Sequence, residues 1–226
     1  MSRDWARWHD AYEDPNSPLS IRLALVQRHL SDALTGAPPG PIRLVSLCAG
    51  QGHDVLGVLP GHPRRDDVTA VLVELDTDNA RLAADRVAQA GLTNVIVREA
   101  DAAVAANYAD ALPADVLLLC GIFGNVGDDD ISRTVATAAV MCAPGGTVVW
   151  TRHRRPPDLT PRLRHWFAAA GFAEHAFDAP DEAPLISVGV HRLRDGAGAR
   201  QPVRLSSERL FTFGTAADRP TAGSGS

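Results

Sequence analysis

The sequence predicts an α/β fold, a doubly wound sheet of about seven strands that is mostly parallel and carries helices on both faces. Apolar strand-like runs alternate with helix-like segments from about residue 42 onward, which favours parallel pairing through helical crossovers. The last two strand-like runs are separated only by 179–184, which is too short for a helix, so they should pair antiparallel. A glycine-containing turn follows the first run, which places a candidate ligand site at the carboxyl edge of the sheet.

Five strand-like runs make up the parallel part of the predicted sheet. Most of their residues are apolar, as expected of strands that are covered on both faces. The runs are 42–47, 68–74, 94–98, 116–120 and 146–150. The interleaved helices are predicted at about 53–58, 78–90, 102–109, 129–141 and 159–170.

The C-terminal part of the chain is predicted to differ from this alternation. Residues 173–178 and 185–193 form the antiparallel hairpin. Residues 203–213 then add a short strand-like segment, and the small, polar tail 214–226 is expected to be disordered.

The chain before the first strand, 1–41, is predicted to be a helical cap and linker. Ser17 is a capping residue and Pro18 suits the first turn of a helix, so a helix is expected over about 18–34. A linker rich in proline and glycine then leads into the main domain, 42–213.

Aromatic residues gather near the N-terminus at roughly helical spacing: Trp5, Trp8, His9 and Tyr12. Such a helix can wall off a flat substrate from water, which makes Tyr12 a candidate catalytic residue. It can equally use its tryptophans to dock on the sheet or to form a homodimer contact, and the sequence leaves these alternatives open.

Composition narrows the class of protein. The chain has 226 residues, and its hydrophobic content of 45% suffices for a core. Its formal net charge of −5 disfavours a general nucleic-acid binder. No run approaches the ~20 apolar residues of a membrane span and no apolar signal region follows the N-terminus, so we expect no membrane association and a cytoplasmic location. Cys48, Cys120 and Cys142 lie in apolar sequence and fit reduced core residues.

A candidate ligand site lies where 44–52 passes from a strand into a turn that contains Gly50 and Gly52. The next strand-like run ends in Glu74. Glycines let the backbone approach a ligand closely, and an acid at this position binds ribose hydroxyls. The layout is typical of a site for an adenosine-type cofactor.

Over about 42–193 the chain resembles the class I S-adenosylmethionine-dependent methyltransferases, whose Rossmann-like sheet ends in an antiparallel hairpin. The resemblance implies S-adenosylmethionine as the cofactor, with the glycine turn around its methionine part, Glu74 on the ribose and Asp101 at the adenine amine. The cofactor-binding set that it implies is Ser46, Cys48, Ala49, Gly50, Gly52, Glu74, Leu75, Asp101, Ala102, Cys120, Gly121 and Phe123.

The turn departs from the commonest form of that family. Cys48 stands where the first glycine is usual, and Ser46 stands where an acid is frequent. Asp54 or the N-terminal helices are alternative partners for the amino group of the cofactor.

Three glycines follow the fourth predicted strand, in a segment that also holds Phe123 and Asn125. Phe123 is a candidate for packing on a ligand, and Asn125 is a candidate catalytic residue that would orient a substrate. The alternative is a tight turn into a capped helix. The segment lacks the Asn/Asp-Pro-Pro-aromatic motif of adenine and cytosine amino-methyltransferases. The aspartates at 128–130 fit a helix N-terminus better than a metal site, so no metal is expected.

His153 follows the fifth predicted strand in a loop rich in arginine, 151–157. Its position and near-neutral intrinsic pKa make it the best candidate general base, and neighbouring arginines favour the neutral imidazole. The arginines are candidates for binding an anionic group of a substrate. The alternatives are a surface histidine in a basic loop, and arginines that pair with acidic side chains elsewhere.

These observations predict an enzyme that moves a methyl group from S-adenosylmethionine to a small-molecule acceptor by in-line displacement. One alternative keeps the cofactor but transfers an aminopropyl or aminocarboxypropyl group, or cyclises the cofactor. A non-catalytic binding protein of the same fold is another. A nicotinamide oxidoreductase is disfavoured, because the turn lacks a third glycine at dinucleotide spacing.

Overall fold

The computed structural model describes residues 14–15, 17–196 and 209–214. The strands are β1 (Ile42–Leu47), β2 (Val68–Glu74), β3 (Val95–Glu99), β4 (Ala114–Leu119), β5 (Cys142–His153), β6 (Phe172–Asp178) and β7 (Ile186–Leu193). The α-helices are α1 (Pro18–Gly36), α2 (His53–Leu56), α3 (Thr77–Gln89), α4 (Asp128–Met141) and α5 (Thr160–Ala169). Short 3₁₀ helices cover Leu59–Gly61, Arg65–Asp67 and Ala105–Ala111.

All seven strands belong to one sheet, in the order β3-β2-β1-β4-β5-β7-β6. The first five pair in parallel, whereas β7 pairs antiparallel with both β5 and β6. The predicted fold class and the antiparallel C-terminal hairpin are therefore confirmed. The order reverses direction between β1 and β4, which is the place where open α/β sheets bind ligands.

Helix α1 covers one face of the sheet and begins as predicted. The Ser17 side chain accepts a hydrogen bond from the Ser20 amide, and Pro18 occupies the first turn. Val26, Leu30 and Leu34 are fully buried in a core that includes apolar residues of β1, β2, β4 and β7. This packing fixes α1 over the middle of the sheet.

An aromatic cluster fills the other face. The Trp150 indole stacks on Phe167 with ring centroids 5.9 Å apart, and Phe172 meets Phe167 edge-on at 5.4 Å. Gly189 of β7 makes room for the indole, because a Cβ there would lie 2.2 Å from its ring. Aromatic contacts thus hold α5 and the terminal hairpin to the parallel part of the sheet.

Three segments differ from the sequence prediction. The helix expected over 102–109 is instead the 3₁₀ helix Ala105–Ala111, which is kinked at Tyr108. Strand β5 begins at Cys142 rather than 146 and accommodates the extra residues with a register shift against β4. Within 209–214 the only pairing is an isolated bridge between Phe213 and Val126, so the strand expected over 203–213 is not present in its described part.

The aromatic N-terminal segment with Tyr12 lies outside the described residues, and the division at residues 41 and 213 stays a prediction. Across the described ranges, no helix is both long and apolar enough to cross a membrane.

Candidate functional site

The glycine turn after β1 has a backbone that most side chains disfavour. Cys48, Gly50 and Gly52 all have positive φ, at 54°, 56° and 77°. The positive φ favours glycine at position 52, and a Cβ there would approach Leu56 Cδ1 to 2.9 Å, so that the leucine side chain would have to shift. The turn is pinned at one side by a hydrogen bond from the Ala49 amide to the Val73 carbonyl, at 3.0 Å. It therefore forms a tight backbone cradle beside the end of β2.

Glu74, the last residue of β2, faces this turn. Its Oε2 accepts a hydrogen bond from the Gly50 amide at 2.7 Å, and its Oε1 accepts one from the Asp76 amide at 2.9 Å. The next residue, Leu75, is 64% exposed. An oriented carboxylate and an accessible apolar side chain are thus presented at the same corner.

Asp101 lies after β3, and both Asp101 and Glu74 act electrostatically on Cys48 in the glycine turn. The burial of Cys48 raises the pKa of its thiol, and the negative charges of Glu74 and Asp101 raise that pKa further. The two carboxylates therefore act on the same side chain of the glycine turn. Ala102 is buried, and its carbonyl accepts a hydrogen bond from the Tyr108 hydroxyl. The glycine turn, Glu74 and Asp101, which the family resemblance connects to one cofactor, are brought together at one corner of the sheet.

Residues 209–214, which we call the C-terminal strap, pack along the same edge. Arg209 Nη1 donates to Asp101 Oδ2 at 2.7 Å, while Asp101 Oδ1 accepts from the Ala103 amide. Leu210 and Phe211 are buried, and the Leu210 amide donates to the Ala103 carbonyl. The strap continues to the loop after β4, where the Gly214 amide donates to the Asn125 carbonyl and the Thr212 amide to Asp130 Oδ2.

The loop after β4 is a tightly bonded turn. The Gly121 amide donates to Thr151 Oγ1 at 2.9 Å, and Asn125 Nδ2 donates to the Gly121 carbonyl at 2.7 Å. Phe123 is fully buried, with its ring against Trp150 and Phe167, so it is not available to pack on a ligand as the sequence suggested. The Asn125 amide group contributes to holding the turn.

Polar side chains lie buried beside the glycine turn. Burial raises the pKa of Asp54, partly offset by the positive charge of Arg22 and by a hydrogen bond with Cys120. Burial likewise raises the pKa of Cys120, which also bonds to Thr151. Ser46 is buried in β1. Asp54, an alternative partner for the cofactor's amino group, thus links the start of α2 to the end of β4.

His153 ends β5 and lies against the loop after β4. A Cβ on Gly124 would lie 3.1 Å from His153 Cδ2, so the glycine provides the space for the imidazole. Desolvation lowers the pKa of His153 and the charges of Arg152 and Arg155 lower it further, while hydrogen bonding to the Gly124 backbone opposes them. The imidazole is therefore held neutral, as a general base requires.

The sequence alone did not single out two residues that the structure places at this edge. Arg209 was missed because its segment shows no periodicity and its contact with Asp101 joins distant parts of the chain. In the sequence, Arg152 is one of several arginines in a cluster, and no local pattern indicates which of them has a buried guanidinium. Within the described ranges, no group of three or more His, Cys, Asp or Glu side chains could hold a metal ion.

The chain matches no protein-family model and no curated protein. It does match solved structures in fold. One is the magnesium protoporphyrin IX methyltransferase of Synechocystis PCC 6803 with bound S-adenosylmethionine, at TM-score 0.65 and 8% identity, over 85% of this chain and 92% of that one.

Two further solved structures share the fold of this chain, and their names describe different activities. An O-methyltransferase family protein from Burkholderia thailandensis matches at TM-score 0.58 and 17% identity, over 80% of this chain and 60% of that one. The [4+2]-cyclase SpnF matches at TM-score 0.54 and 15% identity, over 74% of this chain and 81% of that one. At identities this low the matches show the fold alone, and they confirm the Rossmann-like sheet with an antiparallel C-terminal hairpin that the sequence predicts.

Proposed function

We propose that this protein is an S-adenosylmethionine-dependent methyltransferase that acts on a small-molecule acceptor. The observation that carries the proposal is the meeting of the glycine turn, the oriented Glu74 carboxylate and Asp101 at the switch point of a methyltransferase-type sheet. The fold match to methyltransferases supports the same cofactor.

The residues at this corner fit the cofactor chemically. The turn offers backbone without a Cβ atom at Gly50, where a ligand can approach closely. Both Glu74 oxygens keep lone pairs beyond the amides they already accept from, so they can also accept ribose hydroxyls. Asp101 is a carboxylate acceptor for the adenine amine, and Leu75 supplies an apolar surface beside it.

The bound cofactor would supply an activated methyl group and its own leaving group. The chain would contribute alignment of the acceptor and exclusion of water. Neutral His153 would remove a proton from an acceptor hydroxyl or amine as that atom attacks the methyl carbon in line with the breaking bond to sulfur. Its position at the end of β5, beside the loop after β4, fits that role.

Binding of the cofactor can be tested by calorimetry with S-adenosylmethionine, S-adenosylhomocysteine and NAD. We expect low-micromolar binding of both sulfur compounds and none of NAD. Glu74→Ala should weaken the binding of both sulfur compounds by roughly 100-fold or more, because each hydrogen bond to a charged group contributes about 1.5–3 kcal/mol. Glu99→Ala is the matched control, since Glu99 lies opposite Glu74 on β3 but bonds to Thr77. Binding of NAD, or equal binding by the two variants, would refute the proposal.

A second candidate keeps the cofactor and changes the reaction. Cys48, with positive φ, stands where the family usually has glycine, and a [4+2]-cyclase is among the proteins of similar fold. Transfer of an aminopropyl group would release methylthioadenosine, whereas methyl transfer releases S-adenosylhomocysteine. Mass analysis of the product therefore separates the two.

A further inference from the structure

Arg152 carries buried hydrogen-bond donors that none of the described residues satisfies. It lies at the carboxyl end of β5, and its Nε and Nη1 are both buried without a hydrogen-bond partner in this part of the chain. A guanidinium stays charged in proteins, so desolvated donors of this kind are unfavourable unless an acceptor reaches them. The arrangement indicates that the hydrogen-bond acceptor comes from outside the part of the chain that the structure describes.

The nearest carboxylates are already engaged by other arginines. Asp128 and Asp158 both act electrostatically on Arg152. However, Asp128 Oδ2 accepts from Arg162 at 3.0 Å, and Asp158 Oδ2 accepts from Arg154 at 3.1 Å. The other oxygen of Asp158 caps the start of α5 through the amide and hydroxyl of Thr160. These pairings leave the guanidinium of Arg152 without a carboxylate bonded to it among the described residues.

We propose that Arg152 binds an oxyanion, a carboxylate or phosphate, carried by the methyl acceptor. The inference rests on the proposed function and gives it a substrate class, namely acidic small molecules. Guanidinium recognises both anions through paired hydrogen bonds, which also fixes the orientation of the bound molecule.

The location of Arg152 suits this role. It precedes His153 in the chain, and its charge reaches the imidazole strongly enough to lower the pKa of His153. An anion bound to Arg152 would therefore lie within electrostatic reach of the candidate base, at the carboxyl end of β5. Anchoring one end of the acceptor limits its rotation and aligns its nucleophile with the methyl group.

The test uses two anions and one neutral analogue as probes. Inorganic phosphate, benzoate and benzamide are titrated by calorimetry at low salt into the full chain, with and without S-adenosylhomocysteine. We expect saturable binding of at least one of the two anions and none of benzamide. Arg152→Gln should weaken anion binding at least about tenfold, as expected for loss of a charge-assisted pair. Arg192→Gln is the matched control, because Arg192 is an exposed arginine near the opposite end of the neighbouring strand β7.

Affinity for S-adenosylhomocysteine separates the possible failures. The affinity of Arg152→Gln for S-adenosylhomocysteine should stay within about twofold of the wild-type value. A tenfold loss would show that Arg152 holds the carboxylate of the cofactor itself, which overturns the acceptor assignment. Equal anion binding by wild type and Arg152→Gln, or no anion binding, would overturn the site. Anion binding that depends on Arg152 in a protein that binds no S-adenosylhomocysteine would refute the proposed function and leave the oxyanion site standing.

Discussion

Arg209 forms an ion pair with Asp101, in which Nη1 donates to Oδ2 at 2.7 Å across 108 positions of the chain. The pair joins the C-terminal strap to the carboxylate that is proposed to receive the adenine amine. Its side chains are 53% and 27% exposed, so the pair contributes little to stability, about 0–1 kcal/mol. The pair also bears on ligand binding, because it occupies an oxygen of Asp101.

We expect Arg209→Ala to strengthen the binding of S-adenosylhomocysteine by up to about fivefold. The adenine amine has to share Oδ2 of Asp101 with Arg209, and removal of the arginine leaves that oxygen to the amine alone. The gain in binding free energy is limited to the small free energy of an exposed ion pair. Calorimetry on the variant and on Arg192→Ala, which removes an exposed arginine far from Asp101, measures the difference. Weaker binding by Arg209→Ala would show instead that the arginine holds Asp101 in its binding position.

His153→Ala should lower turnover by roughly 10²–10⁴-fold while the affinity for the cofactor stays unchanged, as expected for loss of a general base. The variant is compared with His175→Ala, which removes an exposed histidine of β6. Unchanged turnover would show that His153 is not the general base.

The pH dependence of the reaction should report the electrostatic surroundings of His153. Because its pKa is lowered by burial and by Arg152 and Arg155, kcat/KM should begin to fall only below pH 6.5, the ordinary histidine pKa. An acidic acceptor on Arg152 would cancel part of that positive charge, so the acidic limb of kcat should lie at higher pH than the limb of kcat/KM. Limbs that coincide would argue against an anion bound beside His153.

Stability should fall between pH 6.5 and 4 because of His191. This side chain is 1% exposed, and its Nδ1 accepts a hydrogen bond from Trp150 Nε1. Burial lowers its pKa to about 4, against the attraction of Glu174, with a small further lowering from Arg164. Between pH 6.5 and 4 the imidazole of His191 is therefore protonated in the unfolded chain but largely neutral in the folded chain. The contribution of His191 to stability is fully present above pH 6.5 and is lost as the pH approaches 4.

The loss is at most about 3 kcal/mol for a change of this size. Denaturant unfolding from pH 7 to 4 measures it. His191→Gln keeps an acceptor for Trp150 and cannot titrate, so its stability should change less over this range. His175→Gln serves as the control. The same slope in wild type and His191→Gln would exclude His191 as the source.

The regular part of the fold was predictable because local pattern and tertiary packing agree there. Strands β1 and β2 begin and end at the predicted residues, since both are mostly apolar runs bounded by polar or glycine-containing turns. Strand β5 was predicted to begin too late, because Pro144 and Gly145 have weak strand propensity and only pairing with β4 extends the strand back to Cys142.

The candidate site was predictable in part for the same reason. Glu74 and Gly50 follow from the order of strand, turn and acid along the chain. The burial of the Phe123 ring did not follow, because it depends on Trp150 and Phe167, which approach from separate elements. The buried donors of Arg152 also depend on which carboxylates other arginines have already engaged, and no local pattern encodes that.

The hydrogen bond between Gly50 and Glu74 has a thermodynamic consequence for the proposed cofactor. It restricts a flexible acidic side chain in the folded protein before any ligand is present. The associated loss of side-chain entropy, up to about 1.5–2 kcal/mol, then belongs to folding rather than to association. The ribose would meet a rigid receptor, and the affinity of this corner would reflect preorganisation as much as the number of contacts.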